Sequence, residues 1–440
     1  MPRRTAAPRT PLAVLAGKAA RVAARLRGGG GSAMPGLLAE RIDPRFLATA
    51  LRDVPHVVVV TGTNGKTTTT RMLAAILRAH GLAVFSNPTG SNFTRGVISS
   101  MLGEVGLNGR LSADAAVLEL DEAHALHFAK VVAPTHALLL NVARDQLDRF
   151  AEIDFTADLL RRLGVQATRG VVVNRDDPFV AKHARQMTAP VTYFGLHDAI
   201  ADRLPELREA DVDATVFEPP PPTGADGLLR PVPGEGEEFV VEFGAGPHVG
   251  PVHLRQRGLA AMINATAAST TARVVLGDAF DPATTATSLA QLAPPFGRGE
   301  VVDLGDGRTL ELVLVKNPAG FTVALGTYGG RPAATMIAIN DNTADGRDVS
   351  WLYDVSFASL RERGVALTSG IRAYDMALRL EYDGVATEAV IPDLDEALDA
   401  FLACRPGEPL RLFCTYTAMM HLRRVLAARY DLSAFGEEGQ

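Results

Sequence analysis

The residues best suited to chemistry lie in one stretch near the start of the chain. Four valines, Val57 to Val60, lead into a turn made of Gly62, Thr63, Asn64, Gly65, Lys66, Thr67 and Thr68. The N–H groups of such a turn and of a following helix bind phosphate, the lysine adds positive charge, and a threonine hydroxyl can ligate Mg²⁺. The stretch therefore predicts a nucleoside triphosphate site. The alternative is an ordinary strand-to-helix turn whose glycines serve tight geometry only.

A carboxylate could complete a metal site beside this turn. Glu119 lies near the end of an apolar run, Ala115–Leu120, where an unpaired charge costs stability. Mg²⁺ prefers one or two carboxylates together with phosphate oxygens and water. Thr67 and Glu119 are therefore the predicted Mg²⁺ ligands. The alternative is a solvent-facing charge, since two more acids follow directly.

Two further polar stretches follow apolar runs. In Asn141–Phe150, Arg144 could contact an anionic substrate or phosphate and Asp145 could position metal-bound water, but a capped helix start explains both equally well. In the second stretch, Asn174–Pro178, Asn174 and Asp177 could hydrogen-bond adenine or ribose. The alternative is an ordinary helix start, because an Asp-Asp-Pro sequence commonly begins a helix.

Zinc and disulfide chemistry are not indicated. Cys404 and Cys414 are the only cysteines, which excludes a disulfide framework and a four-cysteine zinc site and fits a reducing cytoplasm. His124 and His127 have no evident third ligand, and we interpret them as structural. No zinc is predicted.

A loop near the C-terminus, Asn340–Trp351, follows a strand and holds several acids and amides, an arginine and the single tryptophan. Loops at strand ends are where α/β domains hold catalytic groups. A carboxylate there could orient a histidine, as the acid of a hydrolytic triad does. No histidine or cysteine of this chain is placed to complete such a triad, so those members would come from another chain.

The elements that position these residues alternate between strand and helix. The expected fold is α/β: a central parallel-sheet domain of P-loop type, with its site at the carboxyl ends of the strands. Helices are predicted over Thr67–His80, Arg95–Leu102 and Gly258–Leu276. The predicted strands are Val57–Val60, Ala83–Phe85, Ala115–Leu120, Ala137–Asn141 and Gly170–Asn174.

The remainder predicts an insertion and a smaller second domain. Residues 197–250, rich in proline and glycine, favour an irregular or β-rich insertion in a central domain that spans 55–300. Residues 294–300 are interpreted as a junction, and 301–440 as a Rossmann-like α/β domain. Its predicted elements are Ala334–Ile339, Val365–Thr368 and Leu410–Thr415 as strands, and Val349–Leu360, Ala373–Leu380, Leu394–Ala403 and Ala418–Arg429 as helices.

Composition indicates an ordinary globular protein of two or three domains. The 440 residues are 47% hydrophobic and 21% charged, with a net charge of −6, and no nucleic-acid partner is predicted. No apolar run approaches the ~20 residues of a membrane span. The expected location is the cytoplasm, including the inner face of the membrane.

The charge is unevenly distributed. Residues 1–50 hold nine basic residues against two acids, a net charge of +7 that leaves −13 for the rest. Residues 1–54 are predicted to be a basic segment rather than a separate domain, with a helix over Leu12–Leu26. It is either a solvated helix packed on the first domain or a weak contact to an anionic membrane surface. A secretory signal is not favoured, because basic residues occupy the place of a cleavage site.

These motifs together resemble the Mur ligase superfamily, whose members join a carboxylate to an amine through an ATP-made acyl phosphate. The resemblance identifies Gly62–Thr67 as the phosphate loop and Glu119 as the Mg²⁺ glutamate. Phe296–Glu300 is similar to the segment that joins the central and C-terminal domains. Nucleotide contacts are implied at Asn174, Asp177, Asn264 and Arg298.

The second half resembles one branch, the MurT family of ligase-like subunits of lipid II isoglutaminyl synthase, through Lys316–Gly320 and the Asn340–Trp351 loop. This implies that ATP and Mg²⁺ activate the α-carboxylate of D-glutamate in the lipid II stem peptide, with Lys66 stabilising the transferring phosphoryl group, and that ammonia converts it to D-isoglutamine. The ammonia would come from GatD, a glutaminase subunit in a heterodimer. Asp348 is implied to complete that subunit's triad, with Asp345 and Asp354 as nearby rivals.

Some features depart from the family pattern. Only about 55 residues precede the phosphate loop, too few for the UDP-sugar-binding domain of Mur ligases, which suits a lipid-linked substrate. Gln146 replaces the metal-binding histidine of amino-acid-adding ligases, and residues 197–250 lack the cysteines of a zinc ribbon. Two other functions stay open: an amino-acid-adding ligase of the Mur or folylpolyglutamate type, which Gln146 and the C-terminal loop disfavour, and an ATP-binding scaffold, which Lys66 and Glu119 disfavour.

Overall fold

Two β-sheets, one in each half of the chain, position the residues discussed above. The computed structural model describes residues 9–26, 33–87, 93–143, 153–200, 218–233, 237–244, 246–294, 297–329, 331–430 and 432. Arg144, Asp145 and Gln146 lie outside the described residues. The predicted α/β fold with two sheets is confirmed.

The first sheet contains the valine strand that leads into the phosphate loop. In chain order its described strands are β1 (His56–Thr61), β2 (Val84–Ser86), β3 (Ala115–Glu119), β4 (His136–Leu139), β5 (Gly170–Asn174), β6 (Val191–Leu196), β7 (Gly227–Pro231), β8 (Glu238–Glu242) and β9 (Val249–His253). Across the sheet the order is β2-β3-β1-β4-β5-β6-β7-β8-β9, and only β8 runs antiparallel to its neighbours. Because β1 lies between β3 and β4, the polar ends of these strands meet at one edge.

Helices cover both faces of this sheet because its central strands are apolar on both faces. In β1, Val57 and Val59 belong to one core, whereas Val58 and Val60 belong to the other. Helices α4, α9 and α10 cover the second face, and the others cover the first. The helices are α1 (Arg9–Leu26), α2 (Met34–Ile42), α3 (Phe46–Ala50), α4 (Lys66–Ala79), α5 (Thr94–Met101), α6 (Glu122–Ala129), α7 (Ile153–Gln166), α8 (Pro178–Ala181), α9 (Leu259–Leu276) and α10 (Pro282–Gln291).

Helix α9, with the turn that follows it, is long and apolar enough to cross a membrane by length and composition. However, 67% of this apolar window, within Leu259–Ala279, is buried inside the protein. Ala265, Ala268 and Ala272 on this helix are completely buried in the core that α9 shares with α4. The small side chains let α9 lie close to the sheet and to α4, as expected for a core helix.

The second sheet builds the C-terminal half. Its described strands are β10 (Arg298–Asp303), β11 (Thr309–Leu314), β12 (Ala334–Ala338), β13 (Val365–Ser369), β14 (Thr387–Val390) and β15 (Leu410–Cys414), in the order β10-β11-β15-β12-β13-β14. All neighbours are parallel except β10 and β11. The flanking helices are α11 (Pro318–Tyr328), α12 (Ala373–Tyr382), α13 (Leu394–Ala403) and α14 (Tyr416–Ala427).

Of the two alternatives for residues 197–250, the described part agrees with the β-rich one, because strands β7, β8 and β9 extend the first sheet. The predicted junction contains the start of strand β10, at Arg298. One expectation needs correction. The helix predicted over Val349–Leu360 is wrong: the segment forms two short 3₁₀ turns, Ser350–Asp354 and Ala358–Leu360.

Candidate nucleotide and metal site

The phosphate loop is shaped by two glycines and held by the segment that follows β4. Gly62 and Gly65 have φ angles of +135° and +86°, which favour glycine. A Cβ on Gly62 would lie 2.9 Å from the backbone nitrogen and oxygen of Asn141, so no side chain fits there. The Asn141 amide accepts a hydrogen bond from the Asn64 N–H at 2.8 Å and donates one to the Asn64 carbonyl at 3.0 Å. This pair of bonds fixes the loop backbone.

Lys66 folds back over the loop that precedes it. Its ammonium Nζ lies 2.5 Å from the Gly62 carbonyl oxygen, 3.3 Å from that of Thr63 and 3.5 Å from Glu122 Oε1. Lys66 and Glu122 are both buried, at 8% and 3% exposure. The two carbonyls and the carboxylate hold the Lys66 Nζ at the centre of the cradle. There its ammonium group would lie next to the negative charge of a bound phosphate.

Thr67 and Glu119, the predicted Mg²⁺ ligands, lie side by side. The Thr67 hydroxyl donates to Glu119 Oε1 at 2.9 Å. Glu119 is 5% exposed, and Asn87 holds its backbone through two hydrogen bonds of 2.9 Å. Burial raises the pKa of the Glu119 carboxyl, and the nearby Lys66 charge opposes this shift.

The chemistry of this pair fits Mg²⁺. The described residues contain no group of three histidines, cysteines or acids able to hold a metal alone. The Thr67 hydroxyl and the Glu119 carboxylate would occupy only two coordination positions of the ion. Phosphate oxygens and water would fill the others, as Mg²⁺ prefers.

One cleft brings together most of the predicted nucleotide contacts. It is lined by Asn64, Gly65, Thr67, Thr68, Asn174, Asp177, Asn264 and Arg298. Asn264 lies close to Gly65: a Cβ added to Gly65 would be 2.4 Å from the Oδ1 atom of Asn264. Within the described part of the chain, the Arg298 guanidinium makes no hydrogen bond or ion pair; burial lowers its pKa, and the Glu119 charge opposes that shift. Such a guanidinium suits an anionic ligand.

Asp177 and Asn174 line the cleft but use their side chains locally. Asp177 Oδ1 accepts from the N–H groups of Phe179 and Val180, and its Oδ2 accepts from Val142 N–H at 2.9 Å. Asn174 Oδ1 accepts from the second residue after it at 2.9 Å. Asp177 therefore caps α8 and ties it to the segment after β4. The helix-start interpretation thus describes Asp177 well.

The C-terminal half reaches the phosphate loop through Asn317. This residue is 1% exposed; its Oδ1 accepts from Gly320 N–H at 2.7 Å, and its Nδ2 donates to Asn64 Oδ1 at 3.2 Å. Ala319, Ala324 and other residues of α11 line the cleft. The candidate nucleotide site therefore lies between the two halves of the chain.

The three candidate acids of the C-terminal loop differ in their surroundings. Asp345 is buried and accepts hydrogen bonds from the N–H groups of Asn342 and Thr417, at 3.2 and 2.7 Å. Asp348 lies at the surface, and its Oδ1 accepts from Ser350 N–H at 2.8 Å. Hydrogen bonding to Ser350, through its side chain first and its backbone second, lowers the pKa of the Asp348 carboxyl. Asp354 is exposed on the following 3₁₀ turn. Asp348 is thus an ionised carboxylate held in one orientation at the surface.

Comparisons with known proteins identify the family. Residues 60–229 match the Mur ligase middle domain, and residues 314–419 match the MurT ligase C-terminal domain. The chain therefore carries a Mur ligase middle domain followed by a MurT-type C-terminal domain. The lipid II isoglutaminyl synthase (glutamine-hydrolyzing) subunit MurT of Streptococcus pneumoniae (strain ATCC BAA-255 / R6) is 28% identical over 96% of this chain and 98% of its own length. The subunit of the same name from Staphylococcus aureus (strain COL) is 26% identical, over 85% of this chain and 88% of its own.

Solved structures agree on the fold of this MurT-type chain. A pseudomurein peptide ligase type C from Methanothermus fervidus superposes with a TM-score of 0.65 at 18% identity, over 87% of this chain and 80% of that one. This structure confirms the predicted fold class. The two domain matches and the MurT relatives confirm the predicted resemblance to the MurT family. The roles of the individual site residues stay predictions.

Several residues that shape the site were not predicted from the sequence of this MurT-type chain. Asn141 braces the loop, Glu122 faces Lys66, Asn87 holds Glu119, and Asn317 joins the two halves. Asn317 stands directly before a proline that starts a helix. It also lies in Lys316–Gly320, which resembles the MurT family. The capping pattern predicts a cap, and neither signal predicts a contact to a distant loop.

Proposed function

We propose that this chain is the ATP-consuming subunit of a lipid II isoglutaminyl synthase. It would convert the α-carboxylate of D-glutamate in the lipid II stem peptide to the amide of D-isoglutamine, with ammonia from a GatD-type glutaminase subunit. One observation carries the proposal: a complete phosphate cradle is hydrogen-bonded, through Asn64 and Asn317, to a MurT-type C-terminal half. The names of the two MurT relatives support the same reaction.

The residues of the cradle would bind and orient ATP. The N–H groups at the N-terminus of α4, which begins at Lys66, would bind the phosphates, whereas Asn141 already holds those of Thr63 and Asn64. Lys66 and Arg298 would bring positive charge to the phosphoryl group in transfer. Thr67 and Glu119 would hold Mg²⁺, which when bound neutralises further phosphate charge. Asn264 lies beside Gly65 and would hydrogen-bond the nucleotide.

The proposed reaction has two displacements. A carboxylate oxygen of the substrate attacks the γ-phosphorus, the bond to ADP breaks, and an acyl phosphate forms. Ammonia then attacks the acyl carbon, phosphate leaves, and the nitrogen loses one proton to give the amide. Walls from both halves of the chain line the cleft, which limits the access of water to a reactive acyl phosphate.

The surface around Asp348 supports a partner subunit. The 3₁₀ turn after Asp348 carries Tyr353, which is 55% exposed and contacts Tyr382 at 6.1 Å between ring centroids. Along α12, Tyr374, Leu378 and Tyr382 recur every four residues and are 68%, 48% and 72% exposed. Exposed aromatic residues grouped on one helix face are typical of protein interfaces. Asp348 would therefore reach the partner's histidine from the edge of an aromatic docking surface.

Reconstitution tests the proposal. The chain is mixed with its glutaminase partner, lipid II, ATP and glutamine, and lipid II is followed by mass spectrometry together with ADP release. We expect the small mass decrease from acid to amide, matched by one ADP per product, and no product without ATP. Addition of an amino acid in the absence of any glutaminase would instead identify an amino-acid-adding ligase.

A further inference from the structure

The outer face of helix α1 is apolar where a surface helix normally carries charge. Between Leu12 and Ala24 the exposed residues are all apolar: Leu12, Leu15, Ala19, Val22 and Ala23. The three larger side chains are 60%, 56% and 58% exposed. Their spacing of three, four and three residues places Leu12, Leu15, Ala19 and Val22 in one stripe. We call these five residues the α1 outer face.

The opposite face of α1 is already occupied. Ala13 and Val14 are completely buried in the core of the first sheet, so the helix is anchored without its outer face. Lys18 Nζ donates to the Val105 carbonyl at 2.8 Å, and Arg21 donates to that of Ser100 at 3.3 Å. Lys18 and Arg21 thus lie along the flank of the helix, and the apolar stripe points outward.

Charge indicates what covers this face. Residues 1–39 contain seven Lys or Arg and no acid, in a chain whose net charge is −6. Three of the arginines, Arg3, Arg4 and Arg27, stand in the segments that flank α1 on both sides. Those segments, residues 1–8 and 27–32, hold one large apolar residue, Met1, so their sequences lack the side chains to cover the stripe. An apolar stripe bordered by cations matches an anionic bilayer surface, where acyl chains accept the stripe and headgroups pair with the cations.

We propose that the α1 outer face docks this protein on an anionic phospholipid membrane. Leu12, Leu15 and Val22 enter the headgroup boundary, and the net positive charge of residues 1–39 attracts the anionic headgroups. The inference goes beyond the proposed function, because it concerns bilayer binding in the absence of any stem peptide. If the proposed function also holds, docking brings the cleft to the surface that carries the substrate.

Vesicle flotation with the full chain tests this proposal. Vesicles of phosphatidylcholine, with or without phosphatidylglycerol and without lipid II, are used, so that failure of the amidation reaction leaves the result unaffected. We expect binding to the anionic vesicles that weakens with salt, and little binding to pure phosphatidylcholine. The triple variant Leu12→Gln, Leu15→Gln, Val22→Gln is expected to bind at least about ten-fold more weakly.

A matched control separates this face from general surface hydrophobicity. The triple variant Val131→Gln, Phe155→Gln, Val301→Gln removes apolar side chains that are 42%, 52% and 55% exposed elsewhere, and it is expected to bind as the unmodified chain does. Circular dichroism checks folding, and the single variant Leu15→Glu replaces the first triple variant if that one unfolds.

Three results would overturn the proposal. The first is that the unmodified chain does not float with anionic vesicles. The second is that the α1 triple or single variant binds vesicles as strongly as the unmodified chain. The third is that the α1 variant leaves vesicle binding intact but abolishes self-association or binding of the glutaminase, measured by light scattering, which would assign the face to a protein partner.

Discussion

Replacing Gly65 by alanine should separate nucleotide binding from folding. Gly65 has φ +86°, and an alanine there pays about 1–2 kcal/mol for the left-handed backbone. Alanine also makes the unfolded chain less flexible than glycine does, which stabilises the folded state by roughly 0.4–1 kcal/mol. The net loss of unfolding free energy is therefore about 1 kcal/mol. The new Cβ would lie 2.4 Å from Asn264 Oδ1, the end of a flexible side chain. Asn264 is therefore expected to rotate out of place rather than to break the fold.

Gly81 provides a control with a similar φ angle and with open space around a Cβ. Its φ is +88°, it follows the end of α4, and a Cβ there has no other atom within 4 Å. Gly81→Ala should lose about the same unfolding free energy as Gly65→Ala, measured by chemical denaturation. Only Gly65→Ala should weaken ATP binding, by about five-fold, since one displaced hydrogen bond is worth about 1 kcal/mol.

Calorimetric ATP titration of both variants decides the matter. Adding Gly65→Ala to an Asn264→Ala background should cost little further affinity, because the group that the Cβ displaces is already absent. Unchanged ATP affinity in Gly65→Ala, or an equal loss in Gly81→Ala, would refute the reasoning.

Three further variants test the site. Lys66→Ala should reduce ADP release by at least about a hundred-fold, because the central positive charge of the cradle is lost; near-normal turnover would contradict its role. Glu119→Gln should stabilise the ligand-free protein at neutral pH in a thermal melt while abolishing Mg²⁺-dependent turnover. Burial raises the pKa of Glu119, so its charged form is the costly one, and the gain should fade as the pH falls below that pKa. Asp348→Asn should impair glutamine hydrolysis in the complex by up to about 10⁴-fold, while Asp354→Asn leaves it unchanged. Intact hydrolysis in Asp348→Asn would remove the triad assignment.

The phosphate loop and its strand were predictable because their signals are local. The run Val57–Val60 is apolar at every position, which suits a strand buried on both faces. Gly62, Gly65 and Lys66 occur at fixed short spacing, and their backbone angles follow from residue type. Where neighbouring residues determine the geometry, sequence reasoning was sufficient.

The contacts that hold the loop were not predictable from such signals. Asn64 pairs with Asn141, 77 residues away, and with Asn317, 253 residues away. Amides form hydrogen bonds with many partners, so residue type does not select one. Strand β4 and helix α11 are positioned by packing in the hydrophobic cores of the two halves. Only this packing brings Asn141 and Asn317 next to Asn64.

The helix wrongly predicted over Val349–Leu360 shows tertiary structure overriding a local pattern. Trp351, Leu352 and Val355 are spaced as on a helix and are buried. However, the Arg379 guanidinium from α12 donates to the carbonyls of Leu352 and Val355, at 3.0 and 2.6 Å. Those carbonyls are the acceptors that a continuing helix needs, so the segment stops as short 3₁₀ turns.

The bond between Asn64 and Asn317 has a mechanical consequence. Asn64 belongs to the loop that would hold phosphate, and Asn317 caps the first helix after β11 in the C-terminal half. Any opening of the cleft must lengthen or break this hydrogen bond. Ligand binding at the loop and rotation of one half against the other would therefore both act on Asn64 and Asn317. A rotation of the two halves would thus change the nucleotide site directly, through this one bond.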